Sequence, residues 1–354
     1  MTSTRSSSAA PSRVSKPSPS RRRAVVGSAL AAALGMVLRN PAHAQQMQTH
    51  LAPWVKPKPK GPTVFLDYDQ EELDAAYTQA DWSRNQAEVA SRNAQKSAGV
   101  VARLGAPKRL AYGPSDAEKL DLYATKAARA PIQVFIHGGA WRRGSASSAA
   151  YQAEMYVDAG AHFIALDFNN VDETKGSLLV MAQQVRRAVA WVYRNAATFG
   201  GDAQRIYISG HSSGGHLAGV VLTTDWQREA GLPSDTVKGG LCASGMYDLH
   251  PVSLSARAGY VKFTREMIEA LSSQRHLDKL AAPLIVAYGT LETPEFQRQN
   301  REFAAAVKAA GKPVELIVLQ GCNHFEVQET LGNPYGPVGR AVLRQMKLDQ
   351  RGNA

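Results

Sequence analysis

Arg205-Ile206-Tyr207-Ile208-Ser209-Gly210-His211-Ser212-Ser213-Gly214-Gly215-His216 decides the reading of this chain. Its first five residues, Arg205–Ser209, form a short, largely apolar run of strand type. The run from Leu217 to Thr224 is apolar with helical spacing. Between them lies a G-x-S-x-G turn centred on Ser212. A strand that reverses directly into a helix needs a very tight turn. Small residues two before and two after the serine, Gly210 and Gly214, let the backbone segments approach without a side-chain clash. The serine then stands clear of the sheet, and the backbone N–H groups that open the helix point toward it. In this context the motif predicts a nucleophilic serine; a glycine-rich turn without chemistry is the alternative.

Outward from this turn the chain alternates between strand and helix patterns. Apolar runs at Ile132–Ile136, His162–Asp167, Gly240–Ser244, Leu284–Tyr288 and Val314–Leu319 each end at a turn, a glycine or a polar residue, as buried parallel strands do. Leu178, Met181, Val185, Ala188 and Val192 recur at helical spacing, as do Phe296, Phe303, Val307 and Ala310 less regularly. Lys108–Tyr112 and Leu120–Tyr123 read as an antiparallel edge pair. The expected fold is α/β, a mostly parallel eight-stranded sheet with helices on both faces. Residues 63–354 form that domain. An N-terminal helix is expected from Asp69, its cap, to about Ala94, with Leu73, Ala76, Tyr77 and Ala80 as core positions; a helix there could also cover an active-site mouth.

In such sheets ligands bind beyond the carboxyl ends of the strands, and two further motifs fall there. His137-Gly138-Gly139-Ala140-Trp141 follows the Ile132–Ile136 strand. Its glycines can turn backbone N–H groups toward a developing oxyanion, so the oxyanion hole is assigned to the N–H groups of Gly138, Gly139 and Ser213. His137 is read as shaping this loop, and Trp141 is placed at the substrate-pocket wall, with simple packing as the alternative. Gly321-Cys322-Asn323-His324-Phe325 follows the last strand, and His324 is the general base. His211 and His216 flank the serine and shape the elbow. The acid lies between Ser212 and His324 in chain order. Glu292 is the first candidate. Asp248, just past the preceding strand, and Glu295, readable as a charge near a helix start, are the others.

The first 44 residues carry a different message. They hold seven of the 41 basic side chains (Arg5, Arg13, Lys16, Arg21, Arg22, Arg23, Arg39) and no acid. Ser20-Arg21-Arg22-Arg23 precedes an Ala-rich apolar run from Ala24 to Leu38 and then Pro41-Ala42-His43-Ala44-Gln45. A charged region, a short apolar core and an A-x-A cleavage site mark residues 1–44 as an export signal peptide of twin-arginine (Tat) type, with a Sec signal and a membrane anchor as alternatives. The mature chain is expected in a bacterial periplasm or outside the cell. Residues 45–62, rich in Pro and Lys, read as a linker. Without the leader, 34 basic residues face 30 acidic ones, so most of the formal +11 disappears and no nucleic-acid partner is expected. Cys242 and Cys322 are too few for a disulfide framework and fit no zinc spacing; they are read as separate small residues. No metal or organic cofactor is expected, nor stable membrane insertion.

The combination H-G-G-x-W at His137–Trp141, G-H-S-S-G-G-H at Gly210–His216 and Y-G-T-x-E-T-P-E-F at Tyr288–Phe296 resembles the kynurenine formamidase (arylformamidase)-like branch of the α/β-hydrolase superfamily, which adjoins the hormone-sensitive-lipase-type esterases. The resemblance runs from about Val64 to Val342. It implies cleavage of carboxylic esters or of N-formyl amides of aromatic compounds. Family members often carry Asp where Glu292 stands. The expectation is a serine hydrolase of small aromatic or short-chain esters acting through an acyl-enzyme. The alternatives are an arylformamidase-like amide hydrolase and a non-catalytic binding protein of the same fold.

Overall fold

The computed structural model describes residues 60–349. The export-signal expectation and all but the end of the linker expectation lie outside them. Among the described residues eight strands make one sheet: β1 (Lys108–Ala111), β2 (Lys119–Tyr123), β3 (Ala130–Ile136), β4 (His162–Leu166), β5 (Gly201–His211), β6 (Gly239–Ala243), β7 (Leu284–Gly289) and β8 (Val314–Leu319). Their order across the sheet is β1-β2-β4-β3-β5-β6-β7-β8. The β1–β2 and β2–β4 pairs are antiparallel and all others parallel. The helices are α1 (Gln70–Ala76), α2 (Gln86–Leu104), α3 (Ala153–Asp158), α4 (Leu178–Asn195), α5 (Ser213–Leu222), α6 (Trp226–Ala230), α7 (Leu249–Ser253), α8 (Arg265–Leu271), α9 (Pro294–Ala309), α10 (His324–Thr330) and α11 (Pro337–Gln345).

Strands covered on both faces lose the polar alternation of a half-exposed strand, and β3, β4, β6 and β7 are buried along their whole length. The period of two sorts their side chains between two cores. Ile132, Val134, Ile136, Ile164, Ile206, Ile208 and Val286 pack with α1, α4, α5 and α9. Phe135, Phe163, Ala165, Tyr207, Leu241, Ile285 and Ala287 pack with α3, α10 and α11. Phe163 centres the second core, stacked on Tyr156 at 5.3 Å between ring centroids and on Phe135 at 6.4 Å. Among the described residues no helix is long and apolar enough to cross a membrane.

The single helix expected over Asp69–Ala94 is instead two helices. α1 starts at a capping box between Asp69 and Glu72 and stops at Ala76; a 3₁₀ turn, Gln79–Trp82, precedes α2. Distant groups occupy the carbonyls where the helix ends. Thr293 Oγ donates to Ala76 O at 2.6 Å, and Arg257 Nη2 donates to Tyr77 O at 2.9 Å. Leu73, Ala76 and Tyr77 are buried as expected, whereas Ala80 is exposed. Cys242 is buried in the sheet and Cys322 half-buried; both are free thiols.

Candidate active site

The site is built at the carboxyl ends of β3, β5, β6, β7 and β8, each contributing through the loop that follows it. At the end of β5, Ser212 adopts φ 59° and ψ −125°, and its N–H donates to Ala243 O at 2.9 Å. This conformation costs a non-glycine residue about 1–3 kcal/mol. The two flanking glycines make the turn physically feasible: a Cβ on Gly210 would lie 2.1 Å from Gly214 O, and one on Gly214 would lie 2.1 Å from Ile136 O. α5 begins at the next residue, so the positive end of its dipole faces the serine.

His324 opens α10, whose N-cap is Asn323 in a capping box with Glu326. Ser212 Oγ lies 2.9 Å from His324 Nε2, and His324 Nδ1 lies 2.8 Å from Glu292 Oε2. Glu292 is fully buried, and its second oxygen accepts from Ser244 Oγ at 2.7 Å and from Gly289 N–H at 2.8 Å. Three protein partners around a buried carboxylate hold it in one orientation, where an unsatisfied charge would be costly. The phenyl ring of Phe296 meets the His324 imidazole edge-on at 4.9 Å.

The other two carboxylates stand elsewhere. Asp248 is the N-cap of α7: its Oδ1 accepts from His250 N–H and from Arg275 Nη2, both at 3.1 Å. Glu295, in the first turn of α9, is buried in a bidentate pair with Arg298 at 2.7 Å and accepts from Tyr77 OH at 2.8 Å. Burial and the Glu295 charge hold the Tyr77 phenol well above its ordinary pKa, so it is a donor.

The His137–Gly144 loop lies across the elbow. Gly139, Ala140 and Trp141 all have positive φ, at 113°, 57° and 62°. Trp141 N–H donates to Ser213 Oγ at 3.1 Å, tying loop to elbow. Among the described residues the N–H groups of Gly138 and Gly139 donate to no protein acceptor, and the Ser213 N–H is at the first position of α5, where no intrahelical partner exists. His137 stacks on Phe168 at 4.4 Å and its Nδ1 lies 2.9 Å from Gly138 O, a loop-shaping position. His211 Nε2 bonds His324 O at 2.9 Å. His216 Nε2 bonds Leu271 O at 3.0 Å while its Nδ1 accepts from Trp141 Nε1 at 3.3 Å. Burial lowers the pKa of all three of these histidines, that of His211 further through the neighbouring His324, and that of His216 to about 4. They are neutral at neutral pH.

Ser212 and His324 open on a cavity of about 490 Å³, also lined by Gly138, Gly139, Tyr77, Gln79, Arg257 and Tyr260. Trp141, expected at its wall, does not line it. The residue is 2% exposed, and its indole N–H is committed to buried His216. The positive φ at Ala140 and Trp141 turns the ring under the loop, a twist no local pattern reveals. The wall is supplied instead by the α1–α2 connection and by the 3₁₀ turn Ala256–Gly259. Gln79 is pinned to the acid loop, donating to Thr293 Oγ at 3.0 Å and accepting from Thr293 N–H at 3.3 Å. Ser244, Gln79, Arg257 and Tyr260 carry no sequence signal; they belong to no motif and come from distant segments. Among the described residues no three His, Cys, Asp or Glu side chains are grouped as a metal site.

An eight-stranded sheet of this order with a Ser-His-Glu chain at the strand ends defines an α/β-hydrolase. The family described as BD-FAE matches residues 120–238. A Danio rerio kynurenine formamidase is 32% identical over 227 residues, covering 62% of this chain and 75% of its own length. The esterase LipC of Mycobacterium tuberculosis is 28% identical over 270 residues, 70% of this chain and 66% of its own. Among solved structures, a Silicibacter sp. TM1040 protein described as a thioesterase superposes with a TM-score of 0.66 at 24% identity, over 76% of this chain and 98% of its own. The chain belongs to the kynurenine formamidase-like family, in the branch of the α/β-hydrolases that it shares with hormone-sensitive-lipase-like esterases.

Proposed function

We propose that the protein cleaves small carboxylic esters, aromatic or short-chain, by acyl transfer to water. The observation that carries this reading is the unbroken hydrogen-bonded chain from Ser212 Oγ through His324 to Glu292, opening on a cavity of substrate size. Neutral His324 Nε2 takes the hydroxyl proton as Ser212 Oγ attacks the ester carbonyl. Glu292 holds the imidazole in the matching tautomer and balances the imidazolium without itself being protonated. The oxyanion is received by the N–H groups of Gly138, Gly139 and Ser213; a single such donor is worth about 2.7–4 kcal/mol of transition-state stabilisation. The tetrahedral intermediate collapses, the alkoxide or phenoxide leaves with the proton from His324, and the acyl group stays on Ser212. Water, deprotonated by His324, then attacks the acyl-enzyme and releases the acid.

The same machinery serves a second reading, hydrolysis of N-formyl aryl amides, which the similarity to the Danio rerio kynurenine formamidase favours. An amine leaves less readily than a phenoxide, so aryl esters are placed first. A fluorophosphonate probe is expected to label the wild-type chain at Ser212 and to leave Ser212→Ala unlabelled, with hydrolysis below a few per cent in the folded variant. Labelling and turnover that survive in Ser212→Ala would overturn the assignment. A specificity constant for N-formylkynurenine above that for every aryl ester tested would reverse the order of the two readings.

A further inference from the structure

Three arginines, Arg142, Arg143 and Arg257, line the cavity at Ser212, and among the described residues no Asp or Glu does. Arg142 is ion-paired with Asp172 at 3.1 Å, so its charge is offset outside the cavity. Arg143, on the loop after β3, makes no side-chain hydrogen bond or ion pair among the described residues. Arg257 is half-buried, and the groups that hold it are neutral. Its Nη2 donates to Tyr77 O and its Nη1 to Tyr260 OH, both at 2.9 Å, while its Nε is buried without an acceptor. Its guanidinium stands 5.5 Å from the centre of the Trp141 ring and 6.0 Å from that of Phe296, the ring packed on His324. Elsewhere in the domain Arg109, Arg187 and Arg298 are each paired with a carboxylate. Tyr260 lies between two of the cavity arginines, accepting from Arg257 and placing its ring 5.0 Å from the Arg142 guanidinium.

We infer that this cavity recognises a carboxylate on the substrate, held by Arg143 and Arg257, so that the preferred substrates are esters that also carry an anionic carboxylate. This rests on the ester-hydrolase reading and narrows its substrate class. A partly desolvated guanidinium has given up water without gaining a counter-ion, and a carboxylate in the same cavity supplies one through short, charge-assisted bonds. A cavity with uncompensated positive charge and walls of low polarisability also concentrates anions before any contact forms. The scissile carbonyl would then lie between Ser212 and the Gly138–Gly139 loop, with the carboxylate toward the 3₁₀ turn that carries Arg257.

The test compares 4-acetoxybenzoate with 4-acetoxybenzamide on the full chain, the same acetyl ester with and without the charge. The ratio of their kcat/KM values is expected to exceed one in the wild type and to fall about tenfold in Arg143→Gln and in Arg257→Gln, the value of a hydrogen bond to a charged group. It is also expected to fall as ionic strength rises from about 0.01 to 0.15 M, where the screening length shortens from about 30 to 8 Å. A variant that merely folds poorly lowers both substrates alike and leaves the ratio in place, and Arg143 lies on an exposed loop where folding damage is least expected. A wild-type ratio at or below one, or a ratio preserved in both variants, would overturn the inference. Calorimetric binding of benzoate and benzamide to Ser212→Ala reads the anion site without turnover. Tighter benzoate binding with no ester hydrolysed by the wild type would leave the anion site standing and remove the esterase reading. Ester hydrolysis with equal binding of the two would do the reverse.

Discussion

Ser244 Oγ donates to Glu292 Oε1 at 2.7 Å, so the carboxylate that faces His324 is oriented from the end of the neighbouring strand, β6. Ser244 itself sits at φ 51°, a left-handed conformation that its N–H bond to Ala287 O stabilises. Its hydroxyl acts on the reaction only through Glu292. Ser244→Ala removes one of the bonds to that carboxylate and leaves the Gly289 N–H in place. The expected result is a fall in kcat of about tenfold with little change in KM, because the loss of a hydrogen bond to a charged group is worth about 1.5–3 kcal/mol. A lower melting temperature with kcat unchanged would reduce Ser244 to a packing role.

Removing the acid itself should cost far more. In serine hydrolases with this constellation, replacement of the acid by its amide lowers turnover by about 10⁴, because the imidazole takes the wrong tautomer. Glu292→Gln is expected to approach that figure in steady-state kinetics. Asp248→Asn should leave kcat within a fewfold, since Asp248 caps α7 and bonds Arg275. Comparable losses in the two variants would contradict the assignment of Glu292.

The His216 imidazole, held at about 4 by burial, makes stability depend on pH. Its folded-state value is depressed below the ordinary 6.5, so the unfolded chain binds the extra proton first. Stability from this group is complete above about pH 6.5 and is lost progressively as the pH falls toward 4. A difference of that size corresponds to about 3 kcal/mol. The melting temperature of the wild type should therefore fall between pH 6.5 and 4. His216→Gln should be less stable at neutral pH, through loss of the Trp141 and Leu271 bonds, but should show a shallower dependence on pH over that interval. Parallel curves for the two proteins would rule this source out.

Export is proposed from residues 1–44 alone. If the leader is of the Tat type, replacing Arg21 and Arg22 together by Lys should stop delivery of the folded chain to the periplasm, as read by cell fractionation. Undiminished periplasmic activity would assign the leader to the Sec class instead.

The sheet and the tight turn at Ser212 are legible in the sequence because both are written in local patterns. Apolar runs such as Ile132–Ile136 and Leu284–Tyr288 have the length and continuity of strands covered on two sides. The turn at Ser212 needs glycine at positions two residues away on either side, and the chain places them there. Chain order restricted the acid to the segment between Ser212 and His324, and the strand ends reduced it to three carboxylates. Tertiary structure alone places them: Glu292 reaches His324 Nδ1, while Asp248 and Glu295 are taken by Arg275 and Arg298. It also decided against one long N-terminal helix and against Trp141 in the cavity wall. α1 stops where Thr293 and Arg257, more than 170 residues away in sequence, occupy its terminal carbonyls. Trp141 is drawn inward by His216. The cavity wall is assembled from segments near residues 77, 142, 257 and 324. Contacts between segments so far apart follow from packing the whole chain, and no hydrophobic period or short motif encodes them.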